Sequence, residues 1–457
     1  MSTPSGDRPH DGFPYPPGPH GDPPPEYARL RDEAPLTRIR LPGGHDAWLA
    51  TRYDDVVTVT ADPRFARDDR YLFMPIPAEN AAGTDRGNGD GDGDGEEGAS
   101  TVEDRGRADR TAGGAADDDR TDGGVADDDR TDRGIADDDR TDRERAAQAA
   151  GRRRLRDTVQ DALRPWRAQR WQGRVDRAVR ERLDALEAAG PPADLVRQYA
   201  FPVPIAVVCE LLGIPDRDRD RFHEWANVRL SVTAYSKEEV AAAFQAYEEY
   251  VGELIDRRRR APRDGLLDEL IRVRDADAHI SDYDLRRMVR GLITAGHQAS
   301  TNMITRGALL LLRHPGELAR LRREPALIDS AVEEILRYHM PGDTAVPRVA
   351  EVDVPLSGGV VRRGEVVLAP PVSANRDERR FPDPDRFDIA RTDNAHLTFG
   401  HGAHYCLGAS LARIELRTAL GMLVARFPRL APAVAPERLR WTDGLLVRQL
   451  EELPVTW

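Results

Sequence analysis

The sequence predicts a predominantly α chain of the α+β class: one large helical domain with a small antiparallel β-rich lobe. Three observations carry this. From residue 155 onward, apolar residues recur at helical spacing through most of the chain. Strand-like runs are short and confined to residues 36–51, 349–368 and 439–457. The only two cysteines in 457 residues are Cys209 and Cys406, so a packed core rather than a disulfide framework must hold the fold.

Residues 1–25 form a polar, proline-rich tail with no basic start and apolar run, so a signal peptide is not expected. Residues 26–34 read as a short helix. Strands are expected at 36–41 and 47–51, split by the turn Pro42-Gly43-Gly44, and a helix at 54–61 stops at Asp62-Pro63. This N-terminal β-rich part spans 26–80. Helical spacing returns at Leu155, Val159 and Leu163 and continues through 175–189, 195–212, 238–260, 283–313, 317–321 and 329–339. Short strands follow over 349–368, broken by Gly358-Gly359 and Gly364. A last helix covers 407–427, and a strand pair closes the chain at 439–457. The helical part therefore spans 146–457.

Between the two parts, residues 81–145 lose all periodicity. The heptapeptide ADDDRTD begins at Ala116, Ala126 and Ala136, and apolar residues are too sparse to offset the entropy of ordering. This segment is expected to be a disordered acidic insert. It also holds nearly all of the formal net charge of −13, which leaves the rest near neutral, so the acidity says nothing about a nucleic-acid or membrane surface on the core. No apolar run approaches the roughly 20 residues that cross a bilayer.

The chemistry concentrates in Phe399-Gly400-His401-Gly402-Ala403-His404-Tyr405-Cys406-Leu407-Gly408. One cysteine sits in a glycine-rich turn that runs into an amphipathic helix. Glycine lets the backbone curl around the sulfur, and the start of the helix favours a thiolate. A lone thiolate cannot build a zinc or iron–sulfur site, which want three or four soft ligands, but it can be the axial ligand of a haem iron. His279, His297 and His314 do not cluster at metal-ligand spacing with carboxylates, and Cys209 reads as a packed core thiol.

On this motif, filled at every fixed position, the chain resembles the cytochrome P450 family, specifically its bacterial haem-thiolate monooxygenases, over about residues 12–80 and 146–457. The resemblance implies haem b, iron protoporphyrin IX, held by Cys406 within a loop formed by Phe399, Gly400, Gly402 and Gly408. It places the haem propionates on His404, on Arg348 in Pro347-Arg348-Val349-Ala350, and on Arg156, with Arg152 standing where relatives carry a histidine. Glu334 and Arg337 form an ExxR, and with Arg386 they match a buried network that fixes the loop below the haem. Gly291–Thr301 should cross the distal face, Gly296 leaving room for dioxygen and widening the helix locally.

The family's acid and threonine beyond that glycine are replaced by Gln298 and Ala299. An amide does not titrate and alanine has no polar atom, so neither relays a proton. Three readings stand: the substrate supplies a hydroxyl and an ordered water, Ser300 substitutes, or the reaction is a coupling without oxygen insertion. By resemblance, the pocket is lined by Leu292, Ala295, Ala299, Thr344, Ala345, Val346, Leu445 and Leu446.

The function expected is monooxygenation, by hydroxylation or epoxidation, of a hydrophobic secondary metabolite. No GxGxxG opens a βαβ unit, so electrons should come from a separate ferredoxin and ferredoxin reductase. A cytoplasmic monomer without membrane or nucleic-acid partners is expected. The rival readings are an oxidative-coupling or peroxide-driven enzyme, and a non-catalytic haem or ligand-binding protein.

Overall fold

The computed structural model describes residues 13–41, 44–67, 129–219, 221, 222, 225, 228, 235–341, 345–442 and 448–457. The chain divides into two units, residues 1–81 with 148–457, and residues 82–147. Of the expected insert, residues 81–128 lie outside the described residues.

In chain order, the elements are α1 (Glu26–Glu33), β1 (Leu36–Arg40), β2 (Asp46–Ala50), α2 (Tyr53–Ala61), β3 (Phe65–Ala66) and α3 (Asp129–Ala162). Next come α4 (Gln172–Ala189), β4 (Ala193–Asp194), α5 (Pro202–Leu212), α6 (Lys237–Arg260), α7 (Leu266–Asp275), α8 (Asp282–Arg313), α9 (Pro315–Arg323) and α10 (Ile328–Tyr338). The last are β5 (Val346–Ala350), β6 (Val354–Leu356), β7 (Gly359–Val361), β8 (Val366–Ala369), α11 (Ala409–Arg426), β9 (Ala431–Pro432) and β10 (Pro454–Thr456).

Three of these differ from expectation. Helix α3 starts at Asp129, inside the repeat and well before the spacing that returns at Leu155, and RERAAQAA at 143–150, rich in strong helix formers, joins the two stretches. The helix foreseen over 195–212 is interrupted. Pro202 has no N–H to donate, and Phe201 N–H reaches back five residues to the Val196 carbonyl, leaving a π turn before α5. Helix α7 was not foreseen at all.

The helices bury one core. Val175, Val179, Leu183 and Leu186 of α4 pack with Val208 and Leu212 of α5, Val251 and Leu254 of α6, Val289, Ile293 and Leu309 of α8, and Leu416 and Leu420 of α11. Each such side chain contributes about 1.5–3 kcal/mol by leaving water. Through their middle runs α8, about 48 Å long at 1.5 Å per residue. It starts on a capping box: the Ser281 hydroxyl accepts from Asp284 N–H while the Asp284 carboxylate accepts from Ser281 N–H.

The β lobe is a five-stranded sheet in the order β1-β2-β8-β5-β3. Its pairs are antiparallel except β2 with β8, which run parallel with Trp48 opposite Val367. Strand β10 pairs with β4 and β9, and β6 with β7 forms a hairpin turning at Gly358, whose φ of +90° suits glycine.

Candidate functional site

The loop before α11 is shaped by two left-handed glycines, Gly400 (φ +76°) and Gly402 (φ +69°). A Cβ on Gly402 would lie 2.8 Å from Ala61 Cα, so the loop rests directly on the end of α2. Gly400 N–H bonds Leu397 O at 2.8 Å, Cys406 N–H bonds Phe399 O at 2.8 Å, and Tyr405 N–H closes the one-turn 3-10 helix Gly402–His404 on Gly402 O at 3.1 Å. The loop therefore presents Cys406 at the mouth of α11, with Gly408 as the residue before the helix.

Cys406 is exposed on its open side and enclosed by the loop on the others. That enclosure pushes its thiol up. The backbone N–H of Gly408, the charges of Arg156 and Arg413, and the N–H of Ala409 work against the rise. Arg156 also ties the loop down, donating to the carbonyls of Ala403 at 3.2 Å and Tyr405 at 3.1 Å. His404 is exposed on its short turn. Arg152 is exposed as well, with Asp284 at 4.0 Å.

Arg348 behaves differently. It lies buried in β5, bonds the Pro347 carbonyl at 2.8 Å, and has no carboxylate within 4.0 Å among the described residues. Burial and the nearby Arg67 charge push its pKa down.

Glu334 and Arg337 are fully buried in α10 and form a two-pronged pair at 2.8 Å on each prong. Arg337 also donates to the carbonyls of Asn375 at 2.9 Å and Pro384 at 2.8 Å, fixing the loop that follows. The third cation is not Arg386. Its side chain is 68% exposed and turns to Asp388, and only its carbonyl meets Arg337, at 3.4 Å. Arg391 takes the place instead, its Nε lying 3.2 Å from both Glu334 oxygens. Asn394 Nδ2 and Asp388 N–H, each at 3.1 Å, complete the carboxylate's partners.

Sequence reasoning also missed a second cluster beside the cysteine. Glu333 accepts from Arg413 at 2.7 and 2.8 Å and meets His396 at 3.2 Å, and these partners pull its carboxyl down to about 2 against the rise caused by burial. Arg413 also lies 4.5 Å over the Phe399 ring and bonds the Tyr405 hydroxyl at 3.3 Å. The only sequence signal was its position seven residues beyond Cys406.

Helix α8 supplies the apolar side. Leu292, Ala295 and Ala299 share one face, and there Ala295 is exposed and the other two half-buried, although most neighbouring positions are buried. Gly296 was expected to widen the helix. The helix is instead unbroken through it, and a Cβ there would meet Val208 Cγ2 at 2.8 Å, so the glycine lets α5 and α8 approach closely. Ser300 turns inward to Glu415 of α11, whose carboxyl is buried and pushed up to about 8, the serine bond lowering it only in part. Gln298 Nε2 donates to Gln449 Oε1 at 2.8 Å. Neither polar side chain flanking Ala299, Gln298 or Ser300, thus faces the open stripe. Ala345 and Val346 are half-buried at the start of β5, and Thr344, Leu445 and Leu446 lie outside the described residues.

These residues fit the group implied by the motif. A buried guanidinium lacking a carboxylate suits an anionic edge, and a single sulfur flanked by N–H groups suits one metal bond. Among the described residues, no three His, Cys, Asp or Glu side chains gather as an alternative metal site, and no helix is long and apolar enough to cross a membrane.

The chain is similar to known proteins along nearly its whole length. The family model described as Cytochrome P450 matches residues 225–452. Mycinamicin IV hydroxylase/epoxidase of Micromonospora griseorubida is 38% identical over 435 residues, covering 94% of each chain. Nocardicin C N-oxygenase of Nocardia uniformis subsp. tsuyamanensis is 38% identical over 445 residues, covering 96% of this chain and 98% of its own. Among solved structures, the putative thioether synthase SgvP, involved in the tailoring step of griseoviridin, superposes with a TM-score of 0.77 at 34% identity over 97% of this chain and 99% of that one.

Proposed function

This chain belongs to the cytochrome P450 family, and from that premise we propose that it hydroxylates or epoxidises a hydrophobic secondary metabolite, with electrons delivered by a ferredoxin and its reductase. The chain is a haem-thiolate, oxygen-incorporating oxidoreductase that acts on small molecules and needs redox partners. When bound, the haem supplies activation of dioxygen, one atom going to the substrate while two electrons and two protons take the other to water.

The observation that carries the residue-level reading is Cys406 at the mouth of α11, with the N–H groups of Gly408 and Ala409 lowering the thiol's pKa. Cys406 would hold the haem iron through its sulfur, and the metal's charge would offset the burial that raises its thiol. Phe399, Gly400, Gly402 and Gly408 shape its loop. Arg348 would be the main propionate partner, supported by the lack of a carboxylate within 4.0 Å among the described residues, with His404 on the cysteine loop and Arg156, which bonds that loop, as further partners. Arg152 joins them less directly, since Asp284 already lies 4.0 Å away. Glu334, Arg337 and Arg391 hold the loop rigid and take no part in the chemistry.

Leu292, Ala295 and Ala299 give the substrate an apolar face that excludes water. Because Gln298, Ala299 and Ser300 offer that face no titrating group, the substrate's own hydroxyl holds the water that passes protons. The cofactor is haem b, and the protein works as a cytoplasmic monomer. Two cysteines free of disulfides suit a reducing compartment.

The test is reconstitution with ferredoxin, ferredoxin reductase and NADPH under labelled dioxygen, after a reduced carbon-monoxide difference spectrum. One labelled oxygen in the product is expected. Loss of the pigment on Cys406→Ser is also expected, and an unchanged Soret band in that variant would overturn the ligand. The missing hydroxyl at Ala299 favours one second reading, an oxidative coupling, which a product two hydrogens poorer than the substrate, with no oxygen added from labelled dioxygen or from hydrogen peroxide, would reveal.

A further inference from the structure

Gln298, Asn302 and Arg306 stand four residues apart on α8, along one edge of the face that carries Leu292, Ala295 and Ala299. Each reaches a segment remote in sequence. Gln298 donates to Gln449, as above. Asn302 Nδ2 donates to the carbonyls of Pro341 at 2.5 Å and Arg448 at 3.1 Å. Arg306 donates to Arg448 O at 2.8 Å, Gly21 O at 3.2 Å and Asn302 Oδ1 at 3.1 Å, and lies 4.9 Å over the Trp441 ring.

Burial changes along the same face. Ala295 is exposed and Ala299 half-buried, whereas Asn302 is 1% and Arg306 0% exposed. The open stretch therefore ends where the polar row begins. There Arg448 and Gln449 bond to the helix, and their segment pairs with residues 441–442 to form the base of the C-terminal hairpin: Trp441 pairs with Leu450, Thr442 N–H bonds Gln449 O at 2.8 Å, and Gln449 N–H bonds Thr442 Oγ1 at 3.1 Å.

We propose that Gln298 is a positioning residue that seats this hairpin on α8 through Gln449, and so sets how far a ligand can extend along the open face. The second half rests on the reading of that face as the substrate's. The amide suits this work: it gives a neutral donor that keeps its form at every working pH, where a carboxylate would carry a charge into a largely buried position. The residue that departs from the family's acid is thus committed to shape rather than to proton transfer. Asn302 and Arg306 anchor the same hairpin deeper along the helix.

The test uses the haem-loaded protein. Hydrogen–deuterium exchange is followed in peptides covering residues 440–452 for the wild type, Gln298→Ala and Gln298→Glu. Gln298→Ala should raise exchange at Gln449 and Glu451 roughly tenfold, the factor for one lost neutral hydrogen bond, and leave α4 and α11 unchanged. Gln298→Glu should keep the protection, because the Gln449 amide turns to donate to it. Gln449→Ala removes the bond from the other side and should match Gln298→Ala if that variant folds poorly. In parallel, imidazole and 4-phenylimidazole are titrated by their absorption change. The ratio of their dissociation constants should move several-fold in Gln298→Ala, the small probe binding as before. Unchanged exchange overturns the tether. Raised exchange with an unchanged ratio overturns the control of ligand extent. If no iron ligand binds at all, the haem reading fails, and the exchange arm still decides the tether.

Discussion

Replacing Glu415 by Gln should flatten the dependence of stability on pH. Glu415 is 2% exposed inside α11 and meets Ser300, with no cation within 4.0 Å among the described residues. Burial raises its carboxyl from the ordinary 4.5 to about 8. Below 4.5 the group is protonated in both folded and unfolded chains and affects neither. Between 4.5 and 8 the unfolded chain loses the proton while the folded chain keeps it, so stability falls as pH rises. Above 8 the loss levels off. A shift of this size corresponds to about 5 kcal/mol, as an upper figure. Glutamine keeps the shape without the titration, at a cost of about 1 kcal/mol if its bond to Ser300 is poorer. Calorimetric melting of the haem-loaded protein at pH 5.5, 7 and 8.5 should show Glu415→Gln gaining on the wild type at each step. Other titrating groups cancel in that difference. Parallel curves would mean that Glu415 is ionised in the folded protein, and the burial argument would be wrong.

Three further outcomes are expected. Arg391→Ala should destabilise the protein by about 3–5 kcal/mol, because it removes one partner of a buried carboxylate, while Arg386→Ala stays within about 0.5 kcal/mol; chemical denaturation of both variants checks this. Arg348→Leu should speed haem loss to an apomyoglobin scavenger roughly tenfold to a hundredfold, the worth of one charge-assisted bond, and an unchanged rate would remove Arg348 from the haem site. Ala299→Thr should leave haem binding intact and change the fraction of reducing equivalents that reach product. Equal coupling in both proteins would sink the proton-supply argument.

The legible parts of the sequence were those set by local rules. Glycines with positive φ and a helix start mark the cysteine loop, and a 3.6-residue period marks the long helices. What stayed hidden depends on distance in sequence. Nothing in Phe381–Phe387 says that the Arg386 side chain points to solvent while Arg391, five residues on, turns inward to Glu334. Gly296 invited a reading about oxygen, but its reason is Val208, 88 positions earlier. Ser300 looked like a spare hydroxyl until α11 brought Glu415 to it. Helix α7 could have been found: Leu266, Leu267, Leu270 and Ile271 hold a helical stripe and are all buried. Its ten residues between charged neighbours were too short to stand out.

Arg348, buried in β5, bears on folding as well as on the proposed haem site. Beside it, the Arg67 charge adds to the burial that lowers its pKa, and among the described residues no carboxylate lies within 4.0 Å of Arg348, so an anion settling there would relieve the cost of burying that charge. Any anion settling on that spot therefore becomes a building component of the protein as well as a tool. If the haem propionates are that anion, the haem-free chain should melt at a lower temperature than the loaded one.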